Sequence, residues 1–203
     1  MIRSVLLVDP DHVHRAHIER SLDLTLARVA GESTDPGEAM RLAAVTRPDV
    51  AIVATYFQHG EGFQLVGRLA TELGIPSVLV SRVGDPTIVP RVTQPGVMGV
   101  LVQPVDPAAL LATTELAICR FQETLALRRE AEALRRMLES RKVIERAKGL
   151  LMETESISEK EAFARLRQKS MDTQRPMAEI ARAVILAAEL SDRIRRGEVS
   201  LTS

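Results

Sequence analysis

A chain of 203 residues with 45% hydrophobic, 27% charged and 2% aromatic residues suits one large domain or two small ones with aliphatic cores. A single cysteine, Cys119, and the lack of a long apolar stretch exclude internal disulfides, a cysteine-rich zinc site and a membrane span, so we expect a cytoplasmic protein. The net charge is zero, but residues 1–125 hold 10 Lys+Arg against 14 Asp+Glu and residues 126–203 hold 17 against 13, which predicts a C-terminal part able to meet a polyanion.

Apolar runs and helical patterns alternate over the first 120 residues or so of the chain. Continuous apolar runs are typical of strands buried on both faces of a parallel sheet, and we predict strands over residues 5–8, 27–30, 49–54, 77–81 and 97–102. Helical spacing of apolar residues predicts helices over 13–22, 35–45 and 62–73. This alternation predicts an α/β fold with a flavodoxin-like, doubly wound parallel sheet.

The ends of these strands resemble the receiver domain of two-component response regulators. VLLVDPD resembles its first strand and acidic turn, RPDVAIVA its third strand, PSVLVS its fourth, and GVLVQPVDPAAL its fifth strand and the turn that follows. The resemblance implies a site in which an acidic pair and an acceptor aspartate hold Mg²⁺. A Ser/Thr hydroxyl senses the phosphoryl group on that aspartate, and a lysine pairs with it.

The matched positions of this chain form what we call the degenerate receiver site: Asp9, Asp11, Ala54, Ser81 and Gln103. Pro10 stands at the second acid, with Asp11 one residue on as a partial substitute. Ala54 stands at the acceptor aspartate and Gln103 at the lysine, and Ser81 keeps its hydroxyl. Because a methyl group cannot accept a phosphoryl group, we predict a pseudo-receiver that does not undergo aspartyl phosphorylation.

Three histidines follow the first strand, namely His12, His14 and His17. Their spacing is compatible with two metal ligands on a helix, but a third ligand is not evident, so we expect solvent-facing histidines and no metal or cofactor. Ser81 has no activating partner in the sequence, and a glycine-rich phosphate loop is missing. We therefore do not expect an enzyme.

A helical segment links this domain to the C-terminal part. Leu127, Ala131, Leu134 and Leu138 follow the spacing of a coiled-coil seam, and charged residues flank them. We predict one continuous helix over about residues 108–152 that serves as a coiled-coil connector and makes the protein a homodimer.

Three amphipathic helical patterns follow between residues 141 and 185. The first has an apolar face that includes Ile144, Ala147 and Leu151. Ser158 and Glu161 have the spacing of a capping box at the start of the second. The third begins near Pro176, which is tolerated at a first helical position. We predict a small all-α three-helix bundle.

Several separated blocks of this region resemble the ANTAR domain, an RNA-binding module of bacterial transcription antiterminators. They are IERAKGLLM at residues 144–152, EAF at 161–163, LR at 166–167 and SM at 170–171. The resemblance implies binding to tandem hairpins in a nascent leader RNA, which prevents a terminator from forming and so acts on the RNA polymerase elongation complex indirectly. It also implies that a separate ligand-sensing protein holds a pseudo-receiver of this kind inactive.

Basic side chains off the apolar faces are the predicted RNA contacts: Arg141, Arg146, Lys148, Arg165, Arg167 and Lys169, with Arg175 a weaker one. Lys148 is the best single candidate, since the small residues beside it permit close approach to a phosphate or a base edge. Gly149 serves either that approach or close helix packing. Arg167 serves RNA or an internal ion pair with Glu145 or Glu161. We predict that the remaining blocks supply core residues: Ala147, Met152, Ala162, Phe163 and Met171.

These patterns predict a receiver-like domain over 1–107, a connector over 108–140, the RNA-binding domain over 141–190 and a tail over 191–203 that frays beyond residue 196. The predicted function is antitermination controlled by partner or ligand binding. A DNA-binding transcription factor is the alternative, and a module whose C-terminal helices bind a protein is a third.

Overall fold

The elements follow one another in an alternating order that ends in three helices. The computed structural model describes residues 3–23, 27–86 and 88–195. The strands are β1 (Ser4–Val8), β2 (Arg28–Ser33), β3 (Val50–Ala54), β4 (Ser77–Ser81) and β5 (Val97–Val102). The helices are α1 (His12–Asp23), α2 (Pro36–Thr46), α3 (Glu61–Arg68), α4 (Pro107–Glu155), α5 (Glu159–Thr173) and α6 (Met177–Arg195).

The five strands form one parallel sheet in the order β2-β1-β3-β4-β5. Every residue of β1 after Ser4, and every residue of β3 and β4, is buried, because helices cover both faces. Ile18, Leu110 and Ile118 lie in the core on one face, and Met40, Phe63 and Leu69 lie in the core on the other. The predicted flavodoxin-like, doubly wound sheet is confirmed.

Two local predictions differ from the structure, namely the second strand and the tail. The second strand was expected over 27–30, but β2 extends to Ser33, because an edge strand continues through polar residues. Between β4 and β5 the described residues form only a short 3₁₀ turn, Val89–Arg91, where a doubly wound sheet usually has a helix. The tail was expected from residue 191, but α6 remains helical to Arg195. The predicted fraying beyond residue 196 lies outside the described residues.

The chain divides into two compact units, Met1–Ala126 and Leu127–Ser203, and the continuous helix α4 contributes to both. In the second unit Ala147 of α4, Leu166 of α5 and Ala181 of α6 form a small buried core, which confirms the three-helix bundle. Ser158 and Glu161 form the predicted capping box at the start of α5. Among the described residues no helix is both long and apolar enough to cross a membrane.

Candidate functional site

The degenerate receiver site lies at the carboxyl edge of the sheet. Asp9 follows β1, Ala54 ends β3, Ser81 ends β4 and Gln103 follows β5. In a parallel sheet these strand ends meet at one edge, which is where α/β proteins bind ligands. The residues predicted to share a site are therefore brought to one place, although their side chains form two separate clusters.

The first cluster surrounds the carboxylate of Asp9, which is 1% exposed. The hydroxyl of Tyr56 lies 2.7 Å from both carboxylate oxygens, and the backbone N–H of Asp11 donates to Oδ1 at 2.8 Å. Nδ1 of His14 contacts Oδ2. The side-chain amide of Gln103 donates to the Tyr56 hydroxyl oxygen at 3.1 Å. We call Asp9, His14, Tyr56 and Gln103 the Tyr56 network.

Tyr56 is held as a neutral hydrogen-bond donor. Burial raises the pKa of its phenol far above the usual range, and the hydrogen bond to Asp9 raises this pKa further. The guanidinium carbon of Arg82 lies 4.3 Å from the centre of the Tyr56 ring, a geometry that allows a cation–π interaction. Tyr56 therefore fills the space beside Asp9 and closes it with its hydroxyl group.

The second cluster contains Ser81. Its hydroxyl donates to the carbonyl oxygen of Arg82 at 3.1 Å and lies 3.2 Å from Oδ2 of Asp85. Thr55 donates to the same carboxylate oxygen of Asp85 at 3.0 Å. Ser81 thus stabilises the turn after β4, and none of its described contacts reaches Asp9.

The residues at this edge do not fit the magnesium ion that receiver domains use. Pro10 and Ala54 have no side-chain oxygen, and both oxygens of Asp9 are already hydrogen-bonded within the Tyr56 network. Asp11 does not replace the missing acid, since its Oδ1 accepts from the N–H groups of Val13 and His14 at 3.0 and 3.2 Å. These bonds cap α1 and lower the pKa of Asp11.

The expectation of solvent-facing histidines is wrong for one of the three. His14 has a side chain that is 9% exposed and contacts Asp9. His12 and His17 are exposed, although Nε2 of His17 lies 3.1 Å from the carbonyl oxygen of Val105. Within the described ranges no group of three or more His, Cys, Asp or Glu side chains is arranged to hold a metal ion.

In the second unit, Lys148 has a different environment from the one expected of a free cation. Its side chain is 9% exposed, and its Nζ lies 2.8 Å from Glu145 and 2.6 Å from Glu159. Hydrogen bonds to these two carboxylates raise the pKa of Lys148. They also join α4 to the first turn of α5. RNA contact by Lys148 stays a prediction, but a phosphate would have to compete with both carboxylates.

The other basic candidates are all exposed. Arg146 pairs with Glu189 at 2.8 Å, and Arg165 pairs with Glu155. The described ion pairs include none for Arg141, Arg167 or Lys169. Glu145 and Glu161, the partners proposed for Arg167, instead bind Lys148 and Ser158. Of the six principal candidates, three are thus left for a polyanion, namely Arg141, Arg167 and Lys169, and the weaker candidate Arg175 is also exposed.

Two of the five predicted core residues are buried, and three are not. Ala147 and Ala162 are fully buried, whereas Met152, Phe163 and Met171 are 38%, 42% and 63% exposed. The parts of α4, α5 and α6 that pack together enclose too little volume to bury every apolar residue of α4 and α5. Phe163, Arg167 and Met171 are spaced by four residues and therefore share one exposed face of α5, which we call the α5 face.

Both parts of the chain match known families. The model of the response regulator receiver domain matches residues 5–115, and the model of the ANTAR domain matches residues 132–185. The transcriptional regulatory protein PdtaR of Mycobacterium tuberculosis is 31% identical over 183 residues, which cover 90% of this chain and 89% of PdtaR. The chain belongs to the ANTAR response regulators. Its two domains are those of a regulatory protein.

Other relatives share one domain with this ANTAR response regulator. The nitrate regulatory protein of Klebsiella oxytoca is 41% identical over 58 residues, which cover 29% of this chain and 15% of that protein. The signal receiver domain of a modulated diguanylate cyclase from Desulfovibrio desulfuricans G20 aligns with a TM-score of 0.56 and 25% identity, over 61% of this chain and 99% of that one. The REC domain of AraT from Geobacillus stearothermophilus aligns with a TM-score of 0.51 and 22% identity, over 64% and 99%.

Two candidate functional residues of this ANTAR response regulator, Tyr56 and Phe163, were not predicted from the sequence. Tyr56 is the single tyrosine of the chain and lies two residues after Ala54, where a large polar side chain can reach the space left by the missing aspartate. Phe163 was assigned to the core because its spacing is helical. In a protein with 2% aromatic residues, an exposed phenylalanine next to Arg167 on one helix face is a candidate for contact with an RNA base.

Proposed function

We propose that this ANTAR response regulator binds tandem hairpins in a nascent leader RNA as a dimer and prevents a terminator from forming. The observation that carries the proposal is the ANTAR match over residues 132–185, which includes the exposed cations without described carboxylate partners. The net effect on the RNA polymerase elongation complex is indirect, because the bound hairpins decide which RNA structure forms.

In this proposal the α5 face makes the principal contacts with a hairpin loop. Arg167 supplies positive charge for phosphates, and Phe163 offers a surface on which one unpaired base can stack. Lys169, two residues from Arg167, lies on another side of α5 and supplies a second cation. Arg141 adds a further cation from α4. Arg146 and Arg165 are exposed enough to exchange Glu189 and Glu155 for phosphate oxygens. Lys148 holds α5 against α4 and so positions the other contacts.

A homodimer through α4 matches the tandem arrangement of the hairpins. Every residue from 127 to 139 is exposed, and the seam residues Leu127, Leu134 and Leu138 are each more than half exposed. A helical stretch of this length without tertiary contacts is marginal in water. A second copy of the chain would bury the seam, and two linked RNA-binding domains would then bind two hairpins with increased avidity.

Control by partner or ligand binding follows from the degenerate receiver site. Ala54 offers no oxygen for phosphorylation, and the Tyr56 network occupies the carboxylate of Asp9. A sensor protein or a small molecule that binds the receiver domain in one conformation better than in another would shift the population that binds RNA. The receiver domain would thus act as a binding module.

The test is a titration of the full chain with a two-hairpin RNA from the leader of its own operon. A scrambled hairpin and a DNA duplex serve as comparisons, each over a range of salt concentrations. The two-hairpin RNA is expected to bind at least tenfold more tightly than either comparison. Preference for the duplex would favour a DNA-binding factor, and binding to none would favour a protein-interaction module.

The contact residues are tested with the double variant Arg167→Gln/Lys169→Gln. Removal of two phosphate contacts is expected to reduce the slope of log affinity against log salt by about 1.4, since each contributes about 0.7 on single strands. The matched control, Arg128→Gln/Arg129→Gln, removes the same charge from the exposed connector. If both double variants lose the same slope, Arg167 and Lys169 have no special role.

Gly149 provides a prediction that separates stability from binding. A Cβ at this position would meet no atom within 4 Å, so close helix packing does not require the glycine. Gly149→Ala is expected to stabilise the chain by about 1 kcal/mol in urea unfolding, because alanine has the higher helix propensity. If the glycine allows close approach of RNA, the same variant binds the two-hairpin RNA more weakly despite its greater stability. Unchanged affinity would remove Gly149 from the proposed interface.

A further inference from the structure

An open cavity of about 550 Å³ lies at the carboxyl edge of the sheet, next to the Tyr56 network. Its lining includes Val13, His14, Arg82, Val83, Gln103 and Pro104. The cavity therefore occupies the edge at which proteins of this fold bind ligands, although the residues that would serve phosphorylation are missing.

His14 lines this cavity and has one ring nitrogen without a partner. Its Nδ1 contacts the carboxylate of Asp9, whereas its Nε2 is buried and has no hydrogen-bond partner among the described residues. The His14 side chain is only 9% exposed. A buried polar nitrogen without a partner lowers stability. A ligand that accepts a hydrogen bond from Nε2 after a small rotation of the ring toward the cavity would remove this cost.

Arg82 provides a positive charge at the same cavity. Its guanidinium carbon lies over the Tyr56 ring, and the described ion pairs include none for it. The carboxylate of Asp11 is also at the rim, but its hydrogen bonds to the first N–H groups of α1 offset its charge. The unpaired cation and the unpaired imidazole nitrogen together favour an anion with acceptor oxygens.

The walls of the cavity favour an apolar body on that anion. Val13 and Val83 are 67% and 79% exposed, and Pro104 adds a third apolar surface. Aliphatic side chains this exposed at the mouth of one cavity offer hydrocarbon area that a ligand would remove from water. A purely inorganic anion would leave these side chains uncovered.

We propose that the cavity binds a small organic acid with an apolar body. Its carboxylate lies between the Arg82 guanidinium and Nε2–H of His14, while Nδ1–H of His14 donates to Asp9. The hydrocarbon part lies against Val13 and Val83. Arg82 then supplies the positive charge opposite the acid, while Asp11 at the rim stays bound to the first N–H groups of α1. This proposal deepens the ligand control described under the proposed function. Only the regulatory role of the bound acid rests on that function, whereas the binding itself does not.

The test uses benzoate as the probe on the full chain, with benzamide as its neutral match. The chain has four histidines, so the nitrogen NMR spectrum of their imidazole rings can be assigned with a His14→Gln variant. Benzoate is expected to shift Nε2 of His14 saturably and to bind about tenfold more tightly than benzamide, because a charged acceptor makes the stronger hydrogen bond. His59, outside the cavity lining, is the internal control and should not shift.

Two exposed positions give matched variants that preserve the fold. Val83→Glu places a negative charge at the mouth and is expected to weaken benzoate binding about tenfold. Val45→Glu makes the same change at an exposed valine of α2 and should leave binding unchanged. Equal affinity for benzamide, equal shifts at His59, or equal effects of the two variants would overturn the proposal. RNA is absent from these measurements, so the result stands whether or not the chain binds hairpins.

Discussion

Leu134→Glu is expected to convert the proposed dimer into a monomer. Leu134 lies in the middle of the α4 seam, between Leu127 and Leu138, and is 53% exposed in a single chain. In a parallel pair of α4 helices the two copies of residue 134 face each other, so the variant places two carboxylates in the dimer core. We expect the dimer dissociation constant to rise about 100-fold or more, measured by sedimentation equilibrium.

Loss of the dimer should appear specifically in the binding of tandem hairpins. A monomer can bind one hairpin at a time, so the advantage of a two-hairpin RNA over a single hairpin is expected to fall from about 100-fold to about twofold. Ala133→Glu adds the same charge one residue outside the seam and serves as the control. A Leu134→Glu variant that sediments as the parental chain does would show that α4 does not mediate dimerisation.

Much of the fold could be predicted because its signals are local. The continuous apolar runs of β1, β3 and β4 correspond to strands buried on both faces, which no other element of this length requires. The capping box of Ser158 and Glu161 depends on residues three positions apart. Such features need no knowledge of distant parts of the chain.

The errors occur where burial depends on the size and neighbours of an element. β2 continues to Ser33 because backbone pairing with β1 extends past its apolar residues. Phe163 and Met171 have core-like spacing, but the bundle is too small to cover them. Periodicity identifies the face of a helix on which a residue lies and does not establish that another element packs against that face.

The candidate site likewise has contacts that could be predicted from the sequence and contacts that could not. Ala54 and Gln103 could be identified from their positions at strand ends. The contact between Tyr56 and Asp9 joins residues 47 positions apart and depends on the side chain turning back toward β1. Likewise, the double ion pair of Lys148 requires the first turn of α5 to approach α4. Contacts set by side-chain conformation or by helix packing could not be obtained from spacing alone.

Tyr56 is expected to remain protonated until the protein unfolds in alkali. Because it is the single tyrosine, the phenolate absorbance reports this group alone. In the folded chain its pKa is raised, first by burial and then by Asp9, whereas in the unfolded chain it is about 10. The stability that Tyr56 contributes is therefore fully present below about pH 10 and is lost as the pH rises further. Phenolate absorbance and loss of helical circular dichroism should change together.

Variants of Tyr56 and Asp9 identify the cause of this behaviour. Tyr56→Phe leaves the buried Asp9 carboxylate without its hydroxyl donor and is expected to reduce the free energy of unfolding by about 2 kcal/mol. In Asp9→Asn the negative charge is gone, so the phenolate should form at a lower pH than in the parental chain. Titration in concentrated urea supplies the unfolded reference. A reversible phenolate transition near pH 10 in a chain that is still helical would contradict this prediction, because it would mean that Tyr56 does not close the space beside Asp9. The degenerate receiver site would then be open to a ligand at Asp9 itself.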